Sequence, residues 1–173
     1  MKLALVTGAS GGLGKEVCKA LVEKGFKIVA VDLLETEALK QNLAELKDNL
    51  ELAIGGVDFS KPETIKNSLA KFLPNKNWTV LVNNAGLSIG GKLVDGTLDH
   101  WNLMMNINLT APFVLSQLFA QNSAEFNIKG SIVNISSMVG VIGTKKTWLC
   151  CIKGWFIGFN QSSCFTSWAQ SSL

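Results

Sequence analysis

Residues 7–14 read T-G-A-S-G-G-L-G, directly after the apolar run at residues 3–6 and directly before an amphipathic stretch. In a strand–loop–helix unit, glycines at these positions have defined uses. Gly8 allows a tight turn, Gly12 lets the main chain approach a pyrophosphate, and Gly14 allows the helix to pack closely. The amino terminus of the helix would face the phosphates. A glycine-rich turn without a ligand is the alternative for this stretch taken alone.

Short aliphatic runs alternate with amphipathic stretches from residue 1 to about residue 143, as in a parallel sheet covered by helices. Ser60 and Glu63 have the spacing of a capping box, with Pro62 in the first turn of the helix that follows. We predict an α/β fold, a Rossmann-type doubly wound parallel sheet with strand order 3-2-1-4-5. Its strands are predicted at residues 3–6, 27–31, 50–57, 79–82 and 131–135, and its other helices at residues 13–24, 36–46 and 98–121.

Asp32 ends the second predicted strand, 18 residues after Gly14. A carboxylate at this place can accept hydrogen bonds from the hydroxyls of the adenosine ribose and repel a 2′-phosphate. The chain contains no Arg, position 11 is Gly rather than a basic residue, and two leucines follow Asp32. These features favour NAD over NADP. The alternative is an Asp that only starts a turn at the end of a strand.

Composition excludes several other functions. The 16 Lys and 13 acidic residues give a net charge of +3 without a basic cluster, so nucleic acid is not an expected partner. A single His100 leaves little room for a zinc site or a hydrolase triad. The four cysteines lack the spacing of a disulfide framework, and no signal peptide or apolar run of membrane-spanning length is evident. We expect a cytoplasmic protein with no membrane partner and no metal.

Two further motifs close predicted strands: N-N-A-G at residues 83–86 and N-I-S-S at residues 134–137. Together with the glycine loop and Asp32, in this order, they make residues 1–143 resemble a classical short-chain dehydrogenase/reductase. The glycines also fit the spacing of the extended, epimerase-like members, but N-N-A-G indicates a classical one. The resemblance implies an NAD(P)-binding Rossmann domain over residues 1–143 and hydride transfer between the nicotinamide and a small alcohol or carbonyl substrate.

The resemblance also assigns residues to the dinucleotide. Asp58, after the third predicted strand, would meet the adenine ring, and residues 84–86 would line the middle of the nucleotide. The complete set comes from the glycine loop and from the ends of the second, third and fourth predicted strands: Thr7, Gly8, Ser10, Gly11, Gly12, Leu13, Gly14, Asp32, Leu33, Asp58, Phe59, Asn84, Ala85 and Gly86.

Three residues are assigned to catalysis by the same resemblance. Asn108 would hold a water molecule in the proton relay, with Asn106 as the competing choice; Leu109 and Thr110 follow Asn108 as in the family. Ser137 would donate a hydrogen bond to the substrate oxygen, and Lys153 lies near the place of the family's lysine. Without this context, an Asn on a helix face, a Ser pair in a turn and a solvated Lys are the ordinary interpretations.

The family's catalytic tyrosine is missing. The chain contains no Tyr, and the position four residues before Lys153 is Leu149. Lys153 therefore has no phenol whose pKa it could lower, and the side chain of Cys150 is too short to replace the phenol. The adjacent Cys150 and Cys151 also lack the usual spacing of metal ligands. We expect the chain as written to be an impaired catalyst.

Residues 144–173 are predicted to be an aberrant tail in place of the Tyr/Lys helix. Residues 148–173 hold three of the five Trp and three of the four Cys, and no acidic residue follows Glu125. Back-translated and read one nucleotide later, residues 148–154 can encode Gly-Tyr, two small residues, Ser and Lys, which restores the family motif. A frameshift is our interpretation, and a divergent tail is the alternative. In both cases the last strands of the family would be missing.

Two functions follow. The first is NAD-dependent interconversion of a secondary alcohol and a ketone, impaired in this form. The second is a catalytically silent dinucleotide-binding remnant that acts by pairing with intact relatives. Intact members of the family are expected to form homo-oligomers, and the sequence gives no support for the same assembly in this chain.

Overall fold

The computed structural model describes residues 2–70, 78–89 and 93–142, together with Ile152 and Gly154. Five strands form one sheet in the order β3-β2-β1-β4-β5, and all four strand pairings are parallel. The predicted Rossmann-type fold and its strand order are therefore confirmed. The strands are β1 Lys2–Thr7, β2 Phe26–Val31, β3 Leu50–Ile54, β4 Trp78–Asn83 and β5 Ser131–Asn134.

Five α-helices connect these strands: α1 Gly12–Glu23, α2 Thr36–Asn42, α3 Pro62–Ala70, α4 Leu98–Met105 and α5 Ala111–Glu125. The helix predicted at residues 98–121 thus contains an interruption, because a π-helical segment, Asn106–Thr110, joins α4 to α5. The helix predicted at residues 36–46 also changes type: α2 ends at Asn42, and a 3₁₀ segment, Ala44–Asn49, follows it.

β3 is shorter than predicted because the chain turns immediately after Ile54. The Gly55 N–H donates to Thr36 Oγ1 at 3.1 Å. A Cβ on Gly55 would lie 2.2 Å from Thr36 N, and Gly56 has a φ of +72°. Two glycines therefore let the chain pass against the start of α2, and residues 55–57 do not extend the sheet.

The start of α3 also differs from the prediction. The Ser60 N–H, which the capping box assigned to Glu63, donates to Asp58 Oδ1 at 2.9 Å. The predicted capping box is therefore wrong, although Pro62 does lie in the first turn of α3. An aspartate two residues earlier competes locally for the same N–H, and here it succeeds.

Both faces of the sheet are buried at the central strands β1 and β2, which explains why these strands are continuously apolar. Along β1, Leu3 and Leu5 belong to the cluster that includes residues of α3 and α5, whereas Ala4 and Val6 belong to the cluster that includes Cys18 of α1. Burial raises the pKa of the Cys18 thiol to about 12. Cys18 is therefore a core residue and not a reactive thiol.

The expectation that no apolar segment approaches membrane-spanning length is wrong for one helical stretch. Within the described residues, the helical stretch Leu98–Glu125, which includes the π-helical segment, is long and apolar enough to cross a membrane by length and composition alone. Core helices of soluble proteins pass the same test. Here Met104, Leu115 and Phe119 are buried, and Leu115 and Phe119 pack in the same cluster as residues of β1 and β4.

Little of the predicted tail falls within the described residues. Ile152 and Gly154 are helical, and Ile152 is only 1% exposed. Leu149, Lys153 and the three cysteines of this region lie outside the described residues. The boundary at residue 143, the frameshift and the loss of the family's last strands stay predictions.

Candidate functional site

The glycine loop lies at the carboxyl end of β1, in the centre of the sheet, and leads directly into α1. Gly11 occupies the N-cap position of α1 and offers no side-chain cap, and the first turn contains no acidic residue. The first N–H groups of a helix have no partner within it, and they carry a partial positive charge. This helix end is therefore suited to an anion.

The glycines in the loop differ in their surroundings. Gly8 has a φ of +62°, and a Cβ there would lie 2.9 Å from Ala85 Cα. A Cβ on Gly14 would lie 2.1 Å from the Gly8 carbonyl oxygen. A Cβ on Gly12 would meet no heavy atom within 4 Å. Gly8 and Gly14 are thus required by the fold, whereas Gly12 borders open space.

Thr7 and Asn84 bind each other across the ends of β1 and β4. Thr7 Oγ1 accepts hydrogen bonds from Asn84 N at 3.1 Å and Ala85 N at 3.0 Å. Asn84 Nδ2 donates to the carbonyl oxygens of Thr7 at 2.9 Å and Gly8 at 3.1 Å. The side chain of Thr7 is buried. Both residues were assigned to the dinucleotide, and the structure shows that they position the glycine loop.

Asp32 lies next to this loop, directly after β2. Its Oδ2 accepts a hydrogen bond from Ser10 N at 2.9 Å, and its Oδ1 accepts one from Leu34 N at 3.2 Å. The carboxylate therefore connects the glycine loop to the turn before α2. Two predicted contact residues have exposed side chains: Leu13 is 56% exposed and Leu33 is 63% exposed.

Asp58 lies in the turn between β3 and α3. The hydroxyl and N–H of Ser60 donate to its carboxylate and are the main causes that hold the pKa of Asp58 below its usual value. The Lys61 ammonium, 3.6 Å from Asp58 Oδ2, acts in the same direction. The side chain of Phe59 is buried in the core, so Phe59 can offer a ligand only its main chain.

The two competing asparagines of the π-helical segment bind different loops. Asn108 is buried, donates from Nδ2 to Leu87 O at 2.8 Å and Met104 O at 2.9 Å, and accepts from Leu87 N at 3.2 Å. It therefore holds the loop after β4, directly beyond the N-N-A-G motif. Asn106 instead donates to Ser60 O at 2.9 Å. This contact of Asn106 was not predicted.

Ser137 follows β5 and caps a short 3₁₀ segment, Met138–Gly140, where its side chain accepts from Val139 N at 3.4 Å. The ends of β4 and β5 are joined beside it, because Asn83 Nδ2 donates to Asn134 Oδ1 at 2.7 Å. Lys153, the third predicted catalytic residue, lies outside the described residues. Within the described part of the chain, no group of three His, Cys, Asp or Glu could hold a metal ion.

Comparison with known proteins points to one family. The model of the family described as short chain dehydrogenase matches residues 2–152. A 2-dehydro-3-deoxy-D-gluconate 5-dehydrogenase of Bacillus subtilis is 34% identical over 142 residues, which are 82% of this chain and 55% of that protein. An NAD-dependent glycerol dehydrogenase of Listeria innocua is 32% identical over 84% of this chain and 56% of its own length. The chain thus spans little more than half the length of these relatives.

Solved structures show the same similarity. A 4-hydroxyisoleucine dehydrogenase complexed with NADH superposes with a TM-score of 0.83 at 28% identity, over 96% of this chain and 68% of that one. A serine dehydrogenase complexed with NADP⁺ has a TM-score of 0.82 at 27% identity, over 95% of this chain and 66% of that one. Both nicotinamide dinucleotides are therefore represented among the similar structures.

Proposed function

The chain belongs to the short chain dehydrogenase family of oxidoreductases, and we propose that it binds a nicotinamide dinucleotide at the carboxyl ends of β1, β2 and β4. The observation that carries the proposal is the glycine loop. Its main chain is fixed by Thr7 and Asn84, its helix end lacks an acidic residue, and Gly12 borders open space. These residues fit a pyrophosphate that approaches the main chain closely.

The preferred dinucleotide in this proposal is NAD. The Asp32 carboxylate is fixed at the edge of the glycine loop by Ser10 and Leu34. There it can accept hydrogen bonds from the ribose hydroxyls, and it would repel the 2′-phosphate of NADP. No Arg is present in the chain to neutralise such a phosphate.

An Asp32→Ala variant is expected to narrow the preference for NAD by about tenfold to a hundredfold, because it removes one or two hydrogen bonds to a charged acceptor together with the repulsion. Calorimetric titration of NAD and NADP into both proteins measures the change. The matched control is Asp99→Ala, which removes an exposed carboxylate from the first turn of α4. Tighter binding of NADP than NAD by the unmodified chain would contradict the role of Asp32.

The reaction in this proposal is the oxidation of a secondary alcohol or the reduction of a ketone. The dinucleotide would supply or accept the hydride. Ser137 would donate a hydrogen bond to the substrate oxygen, Asn108 would fix the loop after β4 beside the nicotinamide, and Lys153 would remain from the family's proton-transfer pair. The proposal also includes a small-molecule substrate, a cytoplasmic location, and no membrane or nucleic acid partner.

A catalytically silent dinucleotide binder is the second candidate. It is favoured by one observation, the absence of Tyr from the chain and the presence of Leu149 where the family has its proton donor. Binding of NAD without turnover on a broad panel of alcohols and ketones supports this candidate. Turnover that is lost in a Ser137→Ala variant supports the enzyme instead.

A further inference from the structure

The side chain of Asn106 makes a hydrogen bond that has no part in the proposed reaction. It opens the π-helical segment between α4 and α5, and its Nδ2 donates to the main-chain carbonyl of Ser60 at 2.9 Å. The two residues are 46 positions apart in the sequence. The contact therefore ties the long helix to the turn between β3 and α3.

Ser60 in turn fixes the carboxylate of Asp58. Its N–H donates to Asp58 Oδ1 at 2.9 Å, and hydrogen bonding by Ser60 is the main cause that holds the pKa of Asp58 below its usual value. The Lys61 ammonium, 3.6 Å away, is the charged group that faces Asp58. The N–H of Ser60 is thus bound by Asp58, and the carbonyl oxygen of the same residue is bound by Asn106.

A carboxylate is a hydrogen-bond acceptor only, which limits what Asp58 can recognise on an adenine ring. The one exocyclic donor of adenine is its 6-amino group. A carboxylate held in a fixed orientation can accept from this group. In hypoxanthine, by contrast, an oxygen replaces the amino group and would face the carboxylate as a second acceptor.

We infer that Asn106 is a positioning residue for the adenine end of the site: it holds Ser60, Ser60 orients Asp58, and Asp58 accepts a hydrogen bond from the 6-amino group of adenine. This inference rests on the proposed function, in which Asp58 meets the adenine ring. Asn108 lies two residues further on and binds the loop after β4. Residues two apart on a helix do not share a face, so one short segment holds two loops of the site in opposite directions.

The experiment compares NAD with nicotinamide hypoxanthine dinucleotide, which has a 6-oxo group in place of the 6-amino group and a proton on the neighbouring ring nitrogen N1. The parent chain is expected to bind NAD about tenfold more tightly, the effect of one hydrogen bond to a charged group. Asn106→Ala is expected to reduce this ratio towards one. Asn102→Ala, which truncates an exposed Asn on α4, is the matched control and is expected to keep the ratio of the parent.

A second measurement follows the pKa of Asp58 by carboxyl NMR without nucleotide. Ser60 holds this pKa below its usual value, so in Asn106→Ala it is expected to rise, and in Asn102→Ala it is expected to stay. A role of Asn106 in stability alone would lower the melting temperature and leave both the ratio and the pKa unchanged.

The outcomes distinguish the inference from the proposed function. If the parent prefers NAD over the hypoxanthine analogue and Asn106→Ala keeps the same affinity ratio, the inference is overturned and the proposed function stays intact. A parent that binds both dinucleotides equally would overturn the contact of Asp58 with adenine, and the inference with it. A parent that binds neither dinucleotide would overturn the proposed function itself.

Discussion

A Leu149→Tyr variant is expected to turn over secondary alcohols with NAD about a hundredfold to ten-thousandfold faster than the parent chain, because it returns a general acid/base to the proposed site. Position 149 lies four residues before Lys153, the spacing that the family uses. The lysine would then have a phenol whose pKa it can lower. NADH formation, measured across a panel of secondary alcohols, gives the rates.

Leu149→Phe is the matched control, since it adds the same ring without the hydroxyl. Equal recovery in Leu149→Phe would show that proton transfer by the hydroxyl is not the cause. We expect a larger recovery of the turnover rate when the reading frame ahead of Trp148 is restored. The family's residues then replace the aberrant tail after the motif as well. A parent chain that already works at rates of about 1–1,000 per second, usual for enzymes, would contradict both the impairment and the frameshift interpretation.

Alanine at Gly12 and at Gly14 is expected to have opposite effects on the stability of the fold. Gly14→Ala places a methyl group 2.1 Å from the Gly8 carbonyl oxygen, so the loop or helix must move, at a cost of about 1–3 kcal/mol in the free energy of unfolding. Gly12→Ala meets no protein atom and improves the helix propensity of α1, so the fold is expected to keep or gain stability.

The affinity for NAD is the second quantity that we expect Gly12→Ala to change. In Gly12→Ala the methyl group would stand in the space proposed for the pyrophosphate, so the affinity for NAD is expected to fall by about tenfold to a hundredfold. Denaturant unfolding and NAD titration of the two variants test this contrast. If Gly12→Ala binds NAD as tightly as the parent, the pyrophosphate does not lie next to Gly12.

Local patterns in the sequence are sufficient to predict the sheet and the glycine loop. Burial of β1 and β4 on both faces accounts for their apolar runs, and the glycine spacing places the turn before α1. The N-N-A-G motif was recognised as well. Its physical role was not, because the bonds between Thr7 and Asn84 join residues 77 positions apart.

Side-chain bonds to a distant main chain leave no periodic signal, and the bond from Asn106 to Ser60 is of this kind. Ser60 was interpreted as a helix cap because serine three residues before glutamate is typical of one. Its N–H instead donates to Asp58, two residues earlier, and its carbonyl oxygen accepts a hydrogen bond from Asn106. The π-helical segment was also missed, since one extra residue in a turn changes the pattern of a long apolar helix very little.

Titration of NAD into the unmodified chain, followed by calorimetry and by amide NMR shifts, measures whether the glycine loop binds the dinucleotide. We predict saturable binding of one NAD per chain, tighter than that of NADP, with the largest shifts at Gly12, Leu13 and Asp32. Absence of binding of both dinucleotides by a folded chain, or shifts confined to residues away from the glycine loop, would show that the loop does not bind a nicotinamide dinucleotide.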